Sequence, residues 1–264
     1  TAHGRAMLPK LREGFECFAA AVESTRQADD GALTVHVPPS FALRWLVPRL
    51  PAFSARHPEV SLRVSSAVTN IDGMAGPAED GLVDMRTAGS EVSIRFGAGN
   101  YPGHVVETVL LPDYVLVCSP DLLAKGPPLT CPRDLLAHPL IHDESIPDER
   151  MRPNWADWFR LAGAGDVDAS RGPRFSSAVL VLEAVLGGQG VALALGPLVA
   201  ADVAAGRLVL PFPVSLPSRY AYYLLTTEAL AGRPSVRAFR EWLRAEVAKD
   251  PLPVSKSAGD IIAG

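Results

Sequence analysis

Apolar residues recur every three or four positions at Leu8, Leu11, Phe15, Phe18 and Val22, between Lys10, Arg12, Glu13, Glu16 and Glu23. That spacing predicts an amphipathic helix over 7–23 with one narrow apolar stripe, suited to docking on its own domain or on a partner helix. Polar Ser24 to Asp30 then reads as a linker. After Gly31 the period changes to two, with Leu33, Val35 and Val37 alternating against Thr34 and His36, so a strand runs into the Pro38-Pro39 break. Ser40 is the expected N-cap of a helix over 41–57, with Pro48 and Pro51 suggesting a kink or two short helices, and a second strand is expected over 60–65. Strand, helix and strand with short links form a right-handed crossover, which calls for a parallel sheet covered by helices.

From Thr69 to Ser90 no period emerges, and strands are expected again over 91–96, 105–110 and 114–118. Short helices are predicted over 120–124, over 132–137 with Thr130 as cap, and over 155–161, with a strand at 140–142. A second series follows. Ser176 or Ser177 caps a helix over 178–186 that Gly187 and Gly188 stop, and a strand over 191–195 leads to a helix opened by Pro197 and running to 205. Strands over 208–210 and 220–226 precede a helix over 235–247 that sets Val236, Phe239, Trp242 and Leu243 on one face. The tail beyond Asp250 is expected to fray.

The apolar stretch 179–205 is interrupted by Glu183, Gln189, four glycines and Pro197, so it reads as globular core and no membrane partner is expected. With 48% hydrophobic residues in 264, the chain can bury a core of one or two domains. Twenty-five Lys plus Arg against 29 Asp plus Glu give a net charge of −4, the wrong sign for a stretch that chiefly neutralises phosphates. Cys17, Cys118 and Cys131 form no CxxC pair, which argues against a disulfide framework or a zinc site and fits a reducing cytosol. The chain opens at Thr1 with no leader pattern, so a truncation is expected upstream.

Catalytic machinery is not legible. There is no GxSxG, HExxH or GxxxxGK[ST], the glycine pairs around Ala98 and Gln189 lack a dinucleotide fingerprint, and the six histidines are scattered. No enzyme, no metal and no cofactor are therefore expected. What remains are helix starts at Ser40 and at Ser176-Ser177, each after a strand, where free N–H groups and the helix dipole suit a carboxylate or another small anion. A binding module is the better class.

An ordered series of segments then resembles the LysR-type transcriptional regulators, in the subgroup of the glycine-cleavage activator and AmpR. It comprises the opening Thr1 to Leu8 before an amphipathic helix, Pro39-Ser40-Phe41-Ala42 through Trp45 to Leu50, Phe53 to Pro58, Ile94-Arg95-Phe96-Gly97, Tyr101-Pro102-Gly103, Val117-Cys118-Ser119-Pro120, Asp134-Leu135, Trp155 to Trp158, Phe175-Ser176-Ser177, Gly188 to Leu193 and Phe239 to Leu243. The resemblance implies an α/β fold of two subdomains of the type-two periplasmic-binding-protein kind, joined by two crossover strands and preceded by a linker helix. It implies the end of a DNA-binding domain and linker helix in 1–30, a first subdomain in 31–117 plus 223–250, a second in 118–222, and a tail in 251–264. A small anionic effector would sit in the cleft between subdomains, contacted by Ser40, Phe41, Ser66, Arg95, His142, Ser176, Ser177 and Tyr222, with Ser65 and Leu195 nearby. A cytoplasmic homodimer or homotetramer would bind DNA through a missing N-terminal winged helix-turn-helix. The alternative is an extracytoplasmic solute-binding protein of a transporter, which shares the fold. The 70–90 segment is longer and richer in glycine than the family pattern suggests.

Overall fold

Alternation in the first strand has its expected result: Leu33, Val35 and Val37 of β1 (Ala32–Val37) are fully buried while their neighbours are not. The computed structural model describes Gly14 and residues 31–74 and 90–250. The expected helix over 7–23, most of the 70–90 stretch and the tail beyond 250 lie outside the described residues.

Around β1 a mixed sheet forms in the order β2 (Ser61–Ser66), β1, β3 (Ser90–Gly97), β10 (Ala221–Thr226), β4 (Val105–Leu110). β1 runs parallel to β2 and β3, as the crossover argument requires, and β10 runs antiparallel to β3 and β4. A second sheet has the order β7 (Arg174–Phe175), β6 (Leu140–Asp143), β8 (Val191–Leu195), β5 (Asp113–Val117), β9 (Ser215–Pro217). The chain passes between the sheets twice, at Leu111-Pro112 and at Ser218 to Tyr220. The boundary expected at 117 falls at the far end of β5, which already pairs with β8 and β9, and that expected at 222 falls inside β10, where Tyr222 already pairs with Phe96. Two adjacent strand patterns carry no mark of which sheet each joins, so the residue pattern could not place the passage.

The helical run after β1 departs most from expectation. Pro38 is its N-cap, and Ser40 sits inside the first turn, α1 (Pro39–Phe41), because Pro39 has the preset φ and the missing N–H that suit a first helical position. The run then widens into a π turn over Ala42–Leu46, tightens into a 3-10 turn over Val47–Arg49 and ends as α2 (Leu50–Arg56). Pro48 cannot donate to the carbonyl four residues back, and the change of helical pitch absorbs that break. Trp45, Leu46 and Phe53 are fully buried, and Trp45 Nε1 and Arg49 both donate to Asp250.

The second sheet carries α3 (Pro120–Lys125), α4 (Trp155–Leu161), α5 (Ala178–Leu186) and α6 (Gly196–Ala204). A 3-10 turn at Pro132–Ala137 starts from Cys131 rather than Thr130, because the Asp134 carboxylate collects the Thr130 hydroxyl and the Thr130 and Cys131 N–H groups. The expected strand over 208–210 reduces to one bridge between Val209 and Cys118. After β10 the short α7 (Glu228–Ala231) leads to α8 (Pro234–Val247), which buries its predicted face, Phe239 meeting Phe53 edge-on at 5.7 Å between ring centroids.

Gly172 holds the edge of the second sheet. Its φ of 134° lies where side chains are strained, and a Cβ there would stand 1.8 Å from the Leu140 carbonyl oxygen. Gly172→Ala is expected to cost about 1–3 kcal/mol in urea unfolding; an unchanged midpoint would show that the β7 edge yields freely.

Candidate functional site

The two sheets meet along a seam, and the first-sheet side of it is set by strand alternation. Phe96 of β3 and Tyr222 of β10 are register partners, so both side chains share one face. Tyr222 lies between Phe41 and Phe96, with ring centroids 4.6 Å away on each side, and is 1% exposed. Its hydroxyl has the Ser40 hydroxyl as hydrogen-bond partner. Burial, more than the Ser40 bond can offset, pushes the Tyr222 phenol well above its ordinary range, so it is a neutral donor at physiological pH.

From the other side come Tyr114 of β5, the end of β6 at Asp143, Ser145, and the first turns of α5. These groups and the start of α1 enclose a hollow of about 20 Å³, room for about one water molecule. A neighbouring hollow of about 10 Å³ shares Ser40, Ile71, Ser145 and Ala178 and adds Ser176 and Ser177. The seam is thus closed to anything larger than solvent.

Among the described residues the one charged side chain lining either hollow is Asp143. Burial raises its carboxyl pKa above the usual 3.8, opposed by bonds from Ser145, whose N–H donates at 2.8 Å. Tyr114 is pushed up chiefly by burial, then by Asp143, and is bonded to Ser218. Facing them, α5 begins at Ser177, whose side chain makes no capping bond, so the first N–H groups of this nine-residue helix open onto the seam.

A clamp flanks this seam. Arg44, from the π turn, reaches Glu183 of α5 at 2.5 Å and Asp202 of α6 at 3.2 Å. Glu183 is 61% exposed and Asp202 only 2%, so the second contact matters more. Asp202 also takes Arg207 at 2.8 Å, which keeps its charge compensated on its own side of the seam.

Of the sequence-predicted residues, Ser40, Ser176, Ser177, Tyr222 and the nearby Leu195 line this seam. The two helix starts expected to converge are reduced to one, because α1 has three residues and Ser40 is not its cap. Phe41 is fully buried behind Tyr222 and supports its ring. Arg95 is turned away: one position before Phe96, it takes the opposite face of β3, donates to Asp72 at 3.0 and 3.2 Å, and lies over the Tyr101 ring at 5.5 Å. Ser66 is exposed at the end of β2 and, like Ser65, lines neither hollow, while His142 opens onto a different cavity. Asp143, Ser145 and Tyr114 were missed; His142 was named as the expected strand end, one residue short of Asp143, with which β6 ends. The described residues contain no group of three His, Cys, Asp or Glu side chains able to hold a metal ion, and no helix long and apolar enough to cross a membrane.

Comparison with known proteins bears on this geometry. The family model of the LysR substrate binding domain matches residues 26–248. The chain is 38% identical over 240 residues to the glycine cleavage system transcriptional activator of Escherichia coli K12, covering 89% of this chain and 72% of that protein. It is 31% identical over 254 residues to the transcriptional activator AmpR of Providencia stuartii, covering 94% and 78%. Among solved structures, the effector domain of AmpR from Pseudomonas aeruginosa superposes with a TM-score of 0.64 at 29% identity, over 82% of this chain and 95% of that one.

The Asp143 environment makes a signed prediction. A carboxyl whose folded-state pKa is raised loses stability for the protein as pH rises from about 3.8 through the folded value, because the folded state then holds a charge with part of its hydration removed, Asp143 being half-buried. Asp143→Asn, which keeps an acceptor for Ser145, is expected to raise the melting temperature at pH 7, with the gain shrinking toward pH 4. A gain independent of pH would show that Asp143 is not held against its charge.

Proposed function

The chain belongs to the LysR substrate-binding domain family, and from that premise we propose that the seam between its two sheets is the effector site of a transcriptional regulator. It is a LysR-type effector-binding domain, and its relatives are named transcriptional activators. One observation carries the site assignment: the Ser40–Tyr222 hydroxyl pair, the Asp143 carboxyl and the uncapped start of α5 converge on one small space between two α/β bodies. Nothing in that lining resembles a nucleophile with its base, and the reading is of a sensor rather than an enzyme.

The lining refines the ligand. A wholly anionic effector would meet only helix N–H groups and hydroxyls, and no lysine or arginine among the lining residues. A carboxylate at the α5 start together with an N–H or ammonium donor toward Asp143 uses both features. That is the chemistry of a free amino acid or a peptide end, whether from metabolism or from cell-wall fragments. Such a ligand exceeds the 20 Å³ hollow, so binding requires the lobes to part and reclose around it. Its differential affinity for the two arrangements shifts the regulator between states. The readout would be DNA binding by a winged helix-turn-helix, which the described residues do not contain, in a cytoplasmic dimer or tetramer. Subdomain limits follow the two sheets, with changeovers at 111–112 and 218–220. The transporter reading has no observation in its favour.

A thermal-shift screen of the chain against amino acids, murein peptides and small carboxylates tests this, since ligand at about 100 times Kd adds about 2.7 kcal/mol. A ligand with both amine and carboxylate is expected to raise the melting temperature, and Ser40→Val and Tyr222→Phe to remove that rise while the unliganded proteins stay folded. A rise that persists in both variants would overturn the site. Arg44→Ala, which frees the clamp, is expected to increase the radius of gyration in small-angle scattering and to tighten ligand binding several-fold; weaker binding would mean that Arg44 belongs to the liganded state instead.

A further inference from the structure

The first body contributes to the seam a strip of chain that neither strand nor helix spacing marks. After β2 a 3-10 turn at Val68–Asn70 leads to Ile71, which is extended and forms a parallel bridge with Phe96, and the Asp72 N–H donates to the Phe96 carbonyl at 3.0 Å. Successive side chains of extended chain take opposite sides. Ile71 accordingly joins the Phe96 face and lines both hollows, while Asp72 turns to the Arg95 face.

Asp72 locks the strip. Its carboxylate accepts from Arg95 Nε and Nη2 at 3.2 and 3.0 Å, from the Tyr101 hydroxyl at 3.1 Å and from the Ala98 N–H at 3.0 Å. Arg95 and Tyr101 are both buried, so moving the carboxylate away would strand a guanidinium out of water. Gly97 permits the approach, since a Cβ there would stand 1.9 Å from Asp72 Oδ2. Gly73 then sets the strip beside the Pro147 ring of the second body. The strip is thus a fixed wall of the seam.

What this wall presents is apolar. Pro39, Val68, Ile71 and Met74 line the smaller hollow opposite Ser145, Ser176, Ser177 and the first turn of α5. Among the described residues no charged side chain lines that hollow, and Val68 and Met74 are exposed although apolar. A ligand whose carboxylate meets the α5 N–H groups and whose ammonium meets Asp143 carries its side group on the carbon between them, against this wall. An aliphatic group there covers Val68 and Met74 and releases the water over them, whereas a charged group loses hydration and gains no partner.

We propose that Val68, Ile71 and Met74, held in place by Asp72, are the specificity wall of the effector site and select a ligand with an aliphatic side group beside its carboxylate. This rests on the reading of the seam as the effector site. Asp72 is a positioning residue: it works through Ile71 and lines neither hollow.

Calorimetric titration of the chain with glycine, L-leucine and L-glutamate tests the wall, because these probes share the ammonium and carboxylate and differ in the side group. L-Leucine is expected to bind about tenfold or more tighter than glycine, and L-glutamate no tighter than glycine. Val68→Ser and Met74→Ser, both at exposed positions, are expected to lower the leucine-to-glycine affinity ratio several-fold. Asp72→Ala is expected to lower the same ratio, and Asp72→Asn to recover part of it, since an amide oxygen still accepts from Arg95 and Tyr101. Should Asp72→Ala not fold, Tyr101→Phe, which removes a single hydroxyl, gives the same readout. A lock of merely structural importance would lower the melting temperature and leave the ratio unchanged, which would overturn the positioning role. Glycine binding as tightly as L-leucine, L-glutamate binding tightest, or a ratio unmoved by Val68→Ser and Met74→Ser overturns the wall and leaves the seam standing. Silence from all three probes, which carry both charged groups, counts against the seam itself and takes the wall with it.

Discussion

Tyr222 imposes the constraint on which the rest of the seam depends. Its ring is packed between Phe41 and Phe96, and its hydroxyl, carried to that depth, must find a partner or cost the protein roughly 1–3 kcal/mol. Ser40 is that partner, which fixes the start of the first helical run over the end of β10. Because the chain leaves the second sheet at Pro217, only five residues earlier, the position of Tyr222 also fixes where the two bodies meet. The apolar sandwich therefore does more than fill space: it sets a polar pair at the place where the chain changes sheets.

Closure of the seam follows from what lies on either side of it. The apolar lining contributed by Ile71, Val181, Leu182, Leu193 and Leu198 favours contact between the bodies, while Asp143 opposes it by losing solvent. A ligand that supplies a donor to Asp143 removes the opposing term and replaces the lost water. On the proposed reading of the seam as the effector site, the closed arrangement contains a group that a bound donor would satisfy better than the protein alone does.

How much of this was legible in the residue pattern can be argued from particular positions. β1 and α8 follow from alternation and helical spacing, since each has a clear buried face, while β8 follows from an apolar run between Gly190 and Gly196 and is buried at every position. The three-residue β9 and two-residue β7 are too short to show a period, and they exist only because longer strands offer them an edge. At the site, Ser40 and Ser177 were reached as helix starts following strands and Tyr222 only through the family resemblance, and the structure places all three along one seam. Arg95 misled because a strand-end arginine suggests an anion site, whereas strand parity assigns it to the face where Asp72 and Tyr101 wait. Parity could have shown this in advance, had the Phe96–Tyr222 register been known; register is a tertiary fact that alternation alone does not contain.

The clamp at Arg44 shows why local rules fail at the seam. Pro48 and Pro51 forbid a straight helix over 41–57, and the chain answers with a π turn over Ala42–Leu46 and a 3-10 turn over Val47–Arg49, a pitch that helical spacing does not foretell. From the π turn Arg44 spans from the first body to the helices of the second. Asp202 keeps Arg207 when Arg44 leaves, so opening does not strand a buried charge, and its cost stays well below the roughly 3–5 kcal/mol of an uncompensated one. A cost of that reduced size suits a switch. In the proposed sensor, a ligand worth a few kcal/mol of differential affinity would then be enough to redistribute open and closed arrangements.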